Sequence, residues 1–147
     1  MKDLKLVFLI FCGACSSPLA NHDQARDGRS IATAPEFVFA ATQVSAQVQW
    51  VTGPNNAGNN SMLVRFWESG KSSVAGPLAD PPYILSAHFK MTCCGTLTPP
   101  VRINRSAPGV YEISEIDFHM PGTWKLTLKL LDGQSEVDES VALIDVR

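Results

Sequence analysis

Six side chains with soft or borderline donor atoms fall into two short windows of this 147-residue sequence. His88, Met91, Cys93 and Cys94 occupy the first window, and His119 and Met120 the second. Thiolate, thioether and imidazole together favour Cu(I), or zinc if the thioethers stay outside the coordination shell. Each residue also has a plainer explanation. A methionine in a strand, such as Met91, is ordinarily core packing, and His88 falls on the polar set of its segment. Cys93-Cys94 could close as a vicinal disulfide. However, neighbouring Cα atoms are only about 3.8 Å apart, below the usual disulfide range, so that ring would be strained.

Other chemistries find less material. The chain has no Gly-rich phosphate loop, no G-x-S-x-G elbow and no H-E-x-x-H helix. A cysteine hydrolase built from Cys93 or Cys94 with His88 or His119 would lack an orienting third group and a helix to acidify the thiol. Glu112, Glu115 and Asp117 alternate imperfectly along one segment and read as a solvated face. The sequence therefore reads as non-catalytic.

The two windows have to be positioned by strands. Residues 109–124 run G-V-Y-E-I-S-E-I-D-F-H-M-P-G-T-W, a strand, a turn and the start of another strand. In Met120-Pro121-Gly122-Thr123, proline supplies the φ of position i+1 and glycine allows φ > 0 at i+2, which suits a type II turn. Upstream, Tyr83 to Met91 alternates, with Leu85, Ala87, Phe89 and Met91 on one face and Ser86, His88 and Lys90 on the other. Pairing of these segments would bring the two donor windows together.

The remaining punctuation is β-type. Val48 and Trp50 share a face, as do Met62, Val64 and Phe66, and Trp124, Leu126, Leu128 and Leu130 form the cleanest alternating run. Residues 53–60 and 69–82 are Gly-, Pro-, Asn- and Ser-rich loops, 101–103 a short edge, and Asp132-Gly133 a hairpin turn into a last strand. Phe37-Val38-Phe39 is either a first edge strand or the end of a linker. About seven short strands without an amphipathic helix predict an antiparallel β-sandwich of immunoglobulin-like type over residues 37–147. Tyr111 is read as a half-buried tyrosine rather than a tyrosine corner.

The first 14 residues have the layout of an export signal. Lys2 and Lys5 precede a continuous apolar run, and Gly13-Ala14 lead into Cys15. Gly-Ala-Cys resembles the bacterial lipobox, with Cys12 standing where leucine is usual. It implies acylation of Cys15 and a membrane anchor that does not span. Residues 15–36 are polar and aperiodic, and read as a flexible tether in which His22 is solvated. The chain carries 12 basic and 14 acidic residues; losing Lys2, Asp3 and Lys5 leaves 10 and 13, a net charge of about −3. Without a basic cluster, nucleic-acid binding is not expected. In an exported protein, Cys93 and Cys94 as free thiols would be prone to oxidation, a liability that a bound metal removes.

One resemblance rests on particular residues. His88-Phe89-Lys90-Met91, then Pro99-Pro100-Val101, then Gly109-Val110-Tyr111 and Phe118-His119-Met120-Pro121-Gly122-Thr123-Trp124 resemble the FixH-like and YtkA-like β-sandwich domains. The likeness covers about residues 83–131, and its most specific part is G-x-Y … F-x-M-P-G-x-W. It implies an exported or membrane-attached domain of immunoglobulin-like fold linked to copper handling and oxidase assembly, with Met91 and Met120 at the metal. Where members of that family carry a Met- and His-rich first loop, this chain carries Cys93-Cys94, and thiolates hold Cu(I) or zinc more tightly than thioethers.

These readings converge on a lipid-anchored protein facing the periplasm of a bacterial cell envelope. It would bind Cu(I) through Cys93 and Cys94, with His119, Met120, Met91 and His88 completing the shell, and serve an unknown, copper-requiring partner. Two other readings are a metal-free immunoglobulin-like interaction module and a thiol-redox partner acting through Cys93-Cys94.

Overall fold

The computed structural model describes residues 35–147. The export signal, Cys15 and nearly all of the tether lie outside the described residues. Eight strands form two antiparallel sheets, with no helix among the described residues. In chain order they are β1 (Glu36–Phe39), β2 (Val44–Thr52), β3 (Asn60–Glu68), β4 (Ile84–Met91), β5 (Arg102–Ala107), β6 (Val110–Ile116), β7 (Gly122–Asp132) and β8 (Ser135–Val146). One sheet has the order β1-β2-β3-β6-β5, the other β4-β7-β8.

Period-two alternation decides what lies between the sheets. Met62, Val64 and Phe66 from β3 meet Leu85, Ala87, Phe89 and Met91 from β4 and Trp124, Leu126, Leu128 and Leu130 from β7 in one buried cluster. Phe37 and Phe39 are fully buried, so the Phe-Val-Phe segment is an edge strand and not linker. Strand β1 opens at Glu36, one residue inside the stretch read as tether. Val48 is buried as expected, while Trp50 on the same face is half-buried against the core.

The segment 117–121 departs from the expected simple turn. Strand β6 pairs with β3 and β5, whereas β7 pairs with β4 and β8. The chain between them is therefore an arch from one sheet to the other and not a hairpin. Fully buried Phe118 pins the arch, its ring edge-on to Phe89 and Trp124 at centroid distances of 5.4 and 5.1 Å. The imperfect alternation before the arch has a local cause. Glu115 sits at φ 60° beside a register shift opposite Asn60 and Met62, so Ile113 and Ile116 both face inward three residues apart.

Loop 69–83 is tied down by a polar cluster. The Arg105 guanidinium donates to both oxygens of Asp80, and the Gly109 N–H and the Tyr111 hydroxyl donate to its Oδ1 at 2.9 and 3.1 Å. The Arg105 bonds, followed by the Gly109 N–H, hold the Asp80 carboxyl far below the usual carboxylate range. Tyr111 is thus half-buried as expected, and its hydroxyl bonds a side chain where a tyrosine corner would bond backbone.

Candidate functional site

Pairing of β4 with β7 brings the two donor windows to the same end of the smaller sheet. Met91 is opposite Trp124, and Thr92 follows it with both its N–H and its hydroxyl donating to the Thr123 carbonyl, at 3.1 and 2.9 Å. The chain then reverses. Gly95 N–H donates to the Met91 carbonyl and Met91 N–H to the Thr96 carbonyl, closing a small loop with Cys93 and Cys94 at its tip. Gly95 takes a φ of 74°, the left-handed backbone that such a reversal needs.

Within that loop the sulfurs converge. Cys94 Sγ lies 3.7 Å from Met91 Sδ and 3.2 Å from the Thr96 hydroxyl. Both cysteines are free thiols on the exposed surface, in keeping with the strain that adjacency imposes on a disulfide ring. Their acidities are split. Hydrogen bonds from the Thr96 hydroxyl and then the Thr96 N–H lower the Cys94 pKa, with a further contribution from the Cys93 thiol. The Cys93 pKa is raised, chiefly because its proton is engaged by Cys94. Cys94 is therefore the first of the two to become a thiolate.

The arch covers the methionine from the other side. A Cβ placed on Gly122 would stand 3.0 Å from Met91 Cε, so the absence of a side chain at Gly122 lets the Pro121-Gly122 backbone sit against the thioether. The arch is held in turn by Trp124, whose indole N–H donates to the Met120 carbonyl at 3.2 Å. The Met120 side chain is exposed. Met91 itself belongs to the buried core.

The histidines do not join the thiols. No three His, Cys, Asp or Glu side chains converge on a common point among the described residues. His88 lies on the outer face of β4, opposite in pleat to Met91, where its Nε2 is 3.0 Å from Ser86 Oγ. His119 Nδ1 is 3.6 Å from Asp117 Oδ2 on the surface of the arch. The two residues expected to complete the shell therefore stand apart from the thiols: His88 is turned to the outer face by the pleat, and His119 lies beside Asp117.

Thr96 is the contributor that sequence reasoning missed. It lies two residues beyond Cys94 in a run read only as loop, and a hydroxyl two positions from a cysteine was the available signal. No family model matches this sequence, and no curated protein or solved structure matches it either, so the site has to be read from its own residues.

Proposed function

We propose that this protein is an exported, lipid-anchored accessory protein that binds a soft metal ion, Cu(I) foremost, at the Met91–Thr96 loop, and that it acts without catalysing a reaction. The observation that carries this reading is the 3.7 Å separation of Cys94 Sγ from Met91 Sδ, with the Cys93 thiol next in sequence. Two sulfurs each about 2.3 Å from one tetrahedral metal ion stand roughly 3.8 Å apart. Cys93 and Cys94 are the primary ligands in this proposal and Met91 the third. Met120 is the arch residue available to a fourth position. Zinc is the alternative occupant, which would use the thiolates and leave the thioethers out.

The strand order supports the finer fold assignment. Without β1, the sheets read β2-β3-β6-β5 facing β4-β7-β8, which corresponds to the A-B-E-D and C-F-G arrangement of an immunoglobulin constant-type sandwich. The resemblance to FixH-like and YtkA-like domains, the export signal and the lipobox-like Cys15 add the cell-envelope setting and a copper-requiring protein as the recipient.

The test is a Cu(I) titration of the purified protein against a chromophoric chelator under reducing conditions, beside Cys93→Ser/Cys94→Ser. One-to-one binding that is lost in the double variant supports the proposal. Equal uptake by both proteins, or by neither, refutes it. A second reading is favoured by the exposed, adjacent free thiols with split acidities, because a thiol of lowered pKa beside a second thiol is an arrangement suited to thiol–disulfide exchange. It predicts reversible disulfide cycling at the pair without metal.

A further inference from the structure

We propose that Cys93 and Cys94 form a capture site for trivalent arsenicals carrying one organic group, held as a chelate between the two sulfurs. The proposal shares its loop with the copper reading but uses only the two cysteines, so either can fail without the other. Both are free thiols on the exposed surface, and they are the only cysteines among the described residues. Cys94 is set by the 3.7 Å approach of its Sγ to Met91 Sδ and by its 3.2 Å contact with the Thr96 hydroxyl. The base of the loop is fixed on both sides. The Gly95 N–H on the Met91 carbonyl and the Met91 N–H on the Thr96 carbonyl close it. The Thr92 N–H and hydroxyl on the Thr123 carbonyl clamp it to β7.

Ring size decides what such a pair can hold. A disulfide between neighbouring residues must bring its sulfurs to about 2.05 Å inside a small ring that the close spacing of the Cα atoms strains. One arsenic atom inserted between the sulfurs enlarges that ring and lets them stand well apart, at the ends of two As–S bonds. Adjacency that opposes a disulfide therefore favours a one-atom bridge. Trivalent arsenic forms three bonds, and the two thiols take two of them. The third sulfur of the loop belongs to Met91, a thioether in the buried core with no proton to exchange. The remaining bond stays with the organic group. Arsenite would keep a hydroxyl there for want of a third thiol, and a disubstituted arsenical has only one bond to exchange and cannot chelate. The number of thiols thus selects the monosubstituted class.

The reaction balances without an oxidant. The arsenical, in its hydrated form R–As(OH)2, meets Cys94 first, because the Thr96 hydroxyl and N–H favour the thiolate there. An As–S bond forms at Cys94 Sγ as one As–OH bond breaks. The second As–S bond forms at Cys93 Sγ as the other As–OH bond breaks. The two thiol protons and the two hydroxides leave as two waters, arsenic stays trivalent, and no electron changes hands. The second step is intramolecular, so the neighbouring thiol acts at a high effective concentration that a single cysteine cannot supply.

The experiment uses the full chain with Cys12→Ser and Cys15→Ser, purified in detergent, in which Cys93 and Cys94 are the remaining thiols. The probe is phenylarsine oxide, which hydrates to the dihydroxy form in water. Mass spectrometry is expected to show one phenylarsenic group per chain with both thiols consumed. Displacing half of it with the monothiol mercaptoethanol should take about 100-fold more competitor than in chains that also carry Cys93→Ser or Cys94→Ser. Arsenite should be held less firmly than the phenyl compound. Met91→Leu should leave retention of the arsenical unchanged while weakening Cu(I), which separates this proposal from the copper reading. Retention no better than in the single-serine chains, two arsenicals per chain, or arsenite held as firmly as the phenyl compound overturns the proposal.

Discussion

Asn60 is the residue whose removal should do the most damage for the least change in volume. It is fully buried at the start of β3. Its Nδ2 donates to the carbonyls of Asn55 and Ile116, at 2.9 and 3.1 Å, and its Oδ1 accepts the Asn55 N–H at 2.8 Å. One amide therefore fixes the loop after β2 to the last residue of β6, where the arch begins. Asn60→Ala deletes three hydrogen bonds, each worth about 1 kcal/mol net, and strands the Ile116 carbonyl in a buried position. The Asn55 groups can turn to water. The sum is a loss of about 2–4 kcal/mol. For a domain of this size that lowers the melting temperature by roughly 10–20 °C. Urea denaturation should show a lower midpoint at unchanged slope. Asn60→Asp sharpens the test, since it keeps the acceptor but sets a carboxylate oxygen against two carbonyls. Protonation would restore a donor, so the folded-state pKa of that Asp lies above the unfolded value of about 3.9. The folded state then takes up the proton first, and the Asp variant should regain stability as pH falls. A loss below about 1 kcal/mol for Asn60→Ala, or a deficit in Asn60→Asp that is flat with pH, would refute the reasoning.

Other outcomes follow from the same geometry. Cys94 should be alkylated faster than Cys93 at pH 8, because its thiolate forms at lower pH. Thr96→Val should slow Cys94 and narrow the gap, as read by mass spectrometry of the peptides. Met91→Leu conserves core volume and should change stability by less than about 1.5 kcal/mol while weakening Cu(I) binding; unchanged affinity would remove the thioether from the site. Gly109→Ala puts a Cβ 2.6 Å from the Ala79 nitrogen at a φ of +67°. It should cost about 2–4 kcal/mol in denaturant unfolding, from left-handed strain plus overpacking. Asp80→Asn should cost no more than about 1 kcal/mol, because the Arg105 pair is partly solvated. Asp80's pKa is lowered on folding, so its stabilisation is complete above the unfolded carboxylate value and is lost as pH falls through the folded one. The gap between wild type and Asp80→Asn should therefore close in acid.

The architecture was legible because alternation is a local signal: Leu85, Ala87, Phe89 and Met91 announce a buried face without reference to any partner. The sulfur cluster was legible in part, since Met91, Cys93 and Cys94 are near neighbours in sequence and a reversing loop gathers them. The partition into sheets was not, because which strand β6 chooses depends on distant pairings, and a Pro-Gly step looks the same in a hairpin and in an arch. The separation of His88 from Met91 was legible, because three residues is an odd spacing and puts two strand side chains on opposite faces. The place of His119 was not, because it depends on the path of the arch. The Asp80 cluster was illegible, because an exposed-looking aspartate in a Pro-rich loop gives no hint that Arg105, Gly109 and Tyr111 will all converge on it.

Trp124 gives the molecule an optical readout of its own. The indole is fully buried, stacked edge-on against Phe118, placed opposite Met91 in the strand register and hydrogen-bonded to the Met120 carbonyl. Its emission should be blue-shifted relative to that of half-buried Trp50, and should respond to whatever happens at the Met91–Thr96 loop or the arch. Copper arriving beside Met91 would quench it, a shift of the arch would break its N–H bond and move its maximum, and neither event would need an added label. With Trp50→Phe and Trp67→Phe as the background, the remaining fluorophore would follow the site in real time in stopped flow on the purified protein.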